Sequence, residues 1–290
     1  MTRTLLLLLA LIPAVSIGAE PGPVSLFVSI LPQKYITERI GAEHVNVHVM
    51  VPPGASPVTY EPTPRQMVLL AGVKLYYRIG VPFETAWMER IQAVNPDMKV
   101  LDAREGVALR RMMAAENDAE SGHAHRHHSM DPHVWLSPSR MMVMGQHLAE
   151  ELQVLDPLHR EDYRRNLEIF RGDLDALDTE LRAVLKDRKS MNFMVFHPSW
   201  GYFADDYGLT QVPIETEGKE PGARALAQLI DTGRRRRVKT LIVERQFNQE
   251  RPRVLAQAIG ARVEELDPLA EDYISNMRVV ARAIAEAAYE

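Results

Sequence analysis

Apolar runs of strand length alternate with amphipathic stretches of helix length twice along this chain, and a long amphipathic rod separates the two rounds. In the first round, Val24 to Ile30 is an apolar run, and Val45 to Val51 alternates with period two as a half-buried strand does. Val73 to Ile79 and Met98 to Leu101 supply two further strands. Between these runs the spacing predicts helices over Gln33–Gly41, Arg65–Ala71 and Phe83–Ala93, the second capped by Thr63 with Pro64 at its first position.

The middle of the chain changes period. Ser139 to Val154 carries Met141, Met142, Met144, Leu148 and Leu152 on a helical stripe, where methionine is core filler. Asp156-Pro157 restarts the helix, with Asp156 as its N-cap. From 157 to 186 the apolar positions Tyr163, Leu167, Phe170, Leu174, Leu177, Leu181, Val184 and Leu185 follow helical spacing. At 1.5 Å per residue that is a stiff rod of roughly 45 Å. The second round then gives strands at Phe193–Phe196, Gln211–Ile214, Thr240–Val243 and Arg262–Leu266. Its helices are expected near Tyr202–Tyr207, Pro221–Thr232, Arg251–Ile259 and Tyr273–Ala288.

Strands alternating with helices imply parallel sheets wrapped by helices. The expected class is therefore α/β, with two lobes, each a mostly parallel four-stranded sheet with flanking helices, joined by one long helix. The expected boundaries are a signal peptide at 1–19, an N-terminal lobe at 20–138 and linking helices at 139–188. A C-terminal lobe at 189–290 completes the chain.

Composition narrows this picture. The 290 residues are 46% hydrophobic and 25% charged, as in an ordinary globular protein. A net charge of −5 gives no reason to expect nucleic acid or an anionic membrane as partner. The basic run Arg234–Arg237 reads as a solvated helix end before the strand at Thr240. Arg3, the apolar stretch Leu5–Val15 and the small residues Ser16–Ala19 read as a secretory signal, the apolar stretch being too short to span a bilayer. Cysteine is absent, which leaves no residue for a disulfide or a thiol-linked lipid anchor. A periplasmic location follows as the simplest compartment.

The candidate chemistry lies at the ends of apolar runs. His133 opens the segment after Asp131-Pro132, His197 ends the run Phe193–Phe196, and Asp267 ends Val263–Leu266. Ligands of open parallel sheets collect at the carboxyl ends of strands, where His197, Glu244 and Asp267 all fall. Imidazole nitrogen with carboxylate oxygen suits zinc, with manganese or iron(II) as alternatives. Residues 104–130 read as an irregular, histidine-rich loop. Within it His123, His125, His127 and His128 place four imidazoles in six residues, a labile tract read as an accessory metal contact. His44 and His48 read as structural, while Trp135 and Trp200 are expected to pack the wall of the cleft. Glu244 is a candidate to accept a proton from a ligand histidine.

These motifs occur in a telling order. Pro52-Pro53-Gly54-Ala55-Ser56-Pro57, Tyr60-Glu61-Pro62, the histidine-rich loop, Asp131-Pro132-His133-Val134-Trp135, Asp156-Pro157, His197 and Leu266-Asp267-Pro268-Leu269 together resemble the zinc and manganese solute-binding proteins of ABC transporters. The resemblance covers essentially the whole mature chain. It implies metal held between two α/β lobes by His133, His197 and Asp267, with a membrane permease as partner and a monomeric protein. One position departs from the pattern: the first-lobe histidine of the family is Val58 here. A water, a carboxylate such as Glu61 or Glu244, or a histidine of the 123–128 tract is left to complete the site.

The leading expectation is thus a periplasmic binding protein that captures zinc for a permease, not an enzyme. A zinc buffer or chaperone is the alternative. A zinc hydrolase is a weaker one, since no helical His-Glu-x-x-His pattern is present.

Overall fold

The computed structural model describes residues 22–113, 130–215 and 222–289. The expected signal segment and the histidines at 123, 125, 127 and 128 lie outside the described residues. The first sheet contains β1 (Val24–Val28), β2 (Val45–Val49), β3 (Leu75–Arg78) and β4 (Lys99–Asp102), in the order β2-β1-β3-β4 and all parallel. The second contains β5 (Asn192–Val195), β6 (Thr210–Pro213), β7 (Thr240–Glu244) and β8 (Arg262–Leu266), in the order β6-β5-β7-β8, again parallel. The two sheets share one topology. Each reverses its strand order beside its first strand, and a crevice opens there at the carboxyl ends.

Helices α1 (Leu31–Gly41), α2 (Pro64–Leu70) and α3 (Pro82–Val94) belong to the first round. Helices α4 (Pro138–Leu155) and α5 (Arg160–Leu185) link the sheets. The remaining helices are α6 (Gly201–Tyr207), α7 (Ala223–Arg235), α8 (Glu250–Ile259) and α9 (Tyr273–Ala287). Thr63 caps α2 as expected, its hydroxyl accepting the Gln66 N–H at 3.3 Å. Arg234–Arg237 lie exposed around the end of α7.

The long helix α5 buries Tyr163, Leu167, Phe170, Leu174, Leu177, Leu181 and Leu185 along one stripe. Those residues join one core cluster that runs from β1 through α4 and α5 to α9. Burying each such leucine stabilises the fold by about 1.5–3 kcal/mol relative to leaving it in water. Two details differ from the sequence reading. Val184 is 43% exposed, because the stripe turns away from it toward Leu185. Asp156 does not cap the long helix; a 3-10 turn at Pro157–His159 intervenes. The Asp156 carboxylate instead accepts from the Tyr163 hydroxyl at 2.7 Å and pairs with His159 Nδ1 at 2.6 Å.

Candidate metal centre

His133 sits where the chain emerges from a buried turn. Asp131 Oδ1 accepts both the backbone N–H of His133, at 3.0 Å, and pairs with its ring Nδ1, at 2.8 Å. Pro132 stiffens the turn between them. A 3-10 turn at Val134–Leu136 follows and buries Trp135 and Leu136, so the imidazole is anchored from both sides. A carboxylate only accepts, so the contact keeps the proton on Nδ1 and leaves the Nε2 lone pair for a metal.

His197 is built the same way from other elements. It follows β5 directly, two residues past Val195. Its ring Nδ1 is held in a short hydrogen bond by Glu215 Oε1, and Phe247 stacks on its face at 4.9 Å between centroids. Glu244, at the end of β7, accepts the backbone N–H of His197 at 3.2 Å and the Ser199 hydroxyl at 2.8 Å. Burial pushes the Glu244 carboxyl above the usual carboxylate range, although His197 and the hydrogen bonds oppose that rise. The partner of the ring is therefore Glu215. The expected role for Glu244 is replaced by one on the backbone, because the turn after β5 aims the N–H at β7 and the imidazole at the loop after β6.

The two imidazoles meet across the sheets, edge to face, with centroids 5.2 Å apart. They line one cavity of about 540 Å³. Its first-lobe wall includes Val58 and the turn Gly80–Val81, and its second-lobe wall includes Glu244, Gln246 and Phe247. Trp135 lines it too, donating its indole N–H to the Pro268 carbonyl at 2.7 Å. Trp200 is fully buried against Phe203 and does not line the cavity. Met112 and Met130, on either side of the histidine-rich segment, both face this space.

Asp267 stands one layer away. It lines a neighbouring cavity of about 290 Å³, and Gln246 borders both spaces. Its Oδ1 accepts Gln246 Nε2 at 2.6 Å and the Leu269 N–H at 2.9 Å, while Arg245 lies 3.9 Å from Oδ2. Among the described residues, no three of His, Asp and Glu are gathered closely enough to hold a metal ion. The structure thus brings His133 and His197 together and keeps Asp267 beside them but engaged elsewhere. Glu61 is exposed and does not line the cavity. His48 packs against Phe27 and His44 stacks on His159, and neither lines this cavity.

Asp131 and Glu215 carry roles that the sequence reading did not assign. Each had a signal. Asp131 precedes a histidine by the two residues an Asx-type turn needs, and Glu215 lies just past β6, where the strand-end rule had already selected Glu244 and Asp267.

Residues 26–287 match the profile of the ZnuA family, described as zinc-uptake complex component A, periplasmic. A crystal structure of ZnuA superposes with a TM-score of 0.83 at 41% identity, covering 91% of this chain and 99% of that one. A zinc-bound ZnuA deletion mutant gives 0.84 at 42% identity, covering 91% and 98%. Among curated proteins, the high-affinity zinc uptake system protein ZnuA of Bacillus subtilis is 28% identical over 244 residues, 82% of this chain and 76% of its own length. The zinc-binding lipoprotein AdcA of Streptococcus pneumoniae is 25% identical over 280 residues, and the match spans only 56% of that longer protein.

Proposed function

This chain belongs to the ZnuA family of periplasmic zinc-uptake components, and from that premise we propose that it captures zinc between its lobes and delivers it to an ABC permease. It is a metal-binding component of a transport system by family; zinc as the preferred cargo and the handover to a permease are our reading. The observation that carries this reading is the His133–His197 pair. Two imidazoles from different sheets line one cavity, and each has its Nδ1 tied to a carboxylate, the arrangement that orients histidines toward a metal.

His133 and His197 are assigned as ligands, and Asp267 as the third, freed from Gln246 when metal enters. Two nitrogen donors favour zinc over manganese. Val58, where the resemblance implies a first-lobe histidine, lines the cavity but cannot ligate. With Glu61 away from the cavity and Glu244 held by Ser199 and the His197 backbone, water or a histidine of the 123–128 tract is assigned the fourth position. Secretion to the periplasm, through the segment 1–19, completes the reading.

Metal analysis of the purified protein tests it. One tightly bound zinc per chain is expected, lost in His133→Ala and in His197→Ala. Unchanged zinc content in both variants would overturn the assignment.

A further inference from the structure

We propose that Arg110 is a positioning residue of this site, holding Asp131 and, through it, the His133 imidazole; the inference rests on His133 being a ligand, as read above. Asp131 is completely buried, and its two oxygens have different surroundings. Oδ1 serves His133 twice. Oδ2 is buried with no hydrogen-bond partner among the described residues. The cation near it is Arg110, whose Nε lies 3.9 Å away. A buried carboxylate with a bare oxygen needs a compensating charge nearby, and the guanidinium supplies it.

Arg110 is itself placed by the opposite lobe. Its Nη1 pairs with Asp205 of α6 at 3.1 Å. Its backbone N–H donates to the Tyr202 hydroxyl at 3.1 Å, and that hydroxyl donates to the Asp131 carbonyl at 2.9 Å. The Asp131 N–H in turn donates to the Arg110 carbonyl at 2.9 Å. Gly201 makes room for this packing, since a Cβ there would fall 2.5 Å from Arg110 Nη1 and 2.9 Å from Asp131 Oδ2. Helix α6 starts four residues after His197, so one short segment carries His197 and braces the carboxylate that orients His133. Arg110 therefore couples the aim of one imidazole to the segment that bears the other.

The test compares Arg110→Met, Arg110→Lys, Asp131→Asn, the double variant Arg110→Met/Asp131→Asn, and His133→Ala. Zinc affinity is measured by competition with a chelator, ligand geometry by the visible spectrum of the cobalt(II) form, and folding by melting temperature. Loss of an outer-shell partner weakens metal binding about 10–100-fold, and Asp131→Asn is expected in that range. Arg110→Met is expected to weaken zinc about tenfold and to shift the cobalt bands, with Arg110→Lys in between. The double variant should bind no more weakly than Asp131→Asn alone, because Arg110 acts through Asp131. Wild-type affinity and spectrum in Arg110→Met, or losses that multiply in the double variant, would overturn the inference. If Arg110→Met fails to fold, Arg110→Lys with and without Asp131→Asn decides the same question. Tight zinc in His133→Ala would instead sink the ligand assignment beneath it.

Discussion

The indole N–H of Trp135 donates to the carbonyl of Pro268 at 2.7 Å, a hydrogen bond that joins the segment of His133 to that of Asp267 across the two lobes. Both partners are buried and both line the cavity. The bond sets how far apart two of the three assigned ligands stand. Trp135→Phe keeps an aromatic ring but removes the indole N–H and leaves the Pro268 carbonyl unsatisfied, at a cost of about 1–3 kcal/mol, to which the smaller buried ring adds a cavity penalty. Chemical denaturation should show that combined loss, with zinc affinity lowered as well; a stability equal to wild type would mean that neither the bond nor the ring's packing contributes.

Glu215 holds the other histidine. Glu215→Ala removes the acceptor at His197 Nδ1 and frees the ring to rotate. Zinc affinity is expected to fall about 10–100-fold. Titration calorimetry measures it directly, with an unaltered dissociation constant as the contrary result.

Glu84 braces the cavity wall from below. Its Oε1 accepts the Ile79 N–H at 2.8 Å and its Oε2 the Gly80 N–H at 2.7 Å, fixing the turn that leads to Val81. Burial raises its carboxyl above the usual range, against the pull of Ser29, the two amides and Arg78. A raised carboxyl holds its proton more tightly folded than unfolded, so its contribution to stability is full at low pH. That contribution is lost as pH rises from about 4.3 through the raised value. Glu84→Gln lacks this loss. The melting temperature of the variant minus that of wild type should therefore climb from acid toward neutral pH, and a flat difference would contradict the argument.

Deleting residues 123–128 removes four histidines and leaves the His133–His197 pair untouched. Total zinc bound at excess metal should fall while the tight site persists. Loss of the tight site in equilibrium dialysis would place one of those histidines among its ligands.

Much of the architecture was legible from periodicity. Strand β7 and helix α9 emerge within a residue or two of the expected spans, because buried runs bounded by turns leave few other ways to satisfy the backbone. His197 and Glu244 were legible through one rule, that parallel strands deliver their last residues to a common edge. Glu215, two residues past β6, obeys the same rule, yet the sequence reading gave it no role. Nothing local distinguishes a carboxylate that will meet an imidazole eighteen residues earlier from one that meets water.

Covalent order along the chain was enough to determine the two rounds of strand and helix and the rod between them, since each depends on neighbours a few positions away. Tertiary packing alone decided that Glu215 serves His197. It also decided that Asp267 is held by Gln246 beside the histidine cavity, and that α6 of one lobe braces the turn bearing His133 in the other. Those choices rest on contacts between segments 18 to 71 residues apart, where hydrogen-bond direction and burial, rather than residue type, select the partner.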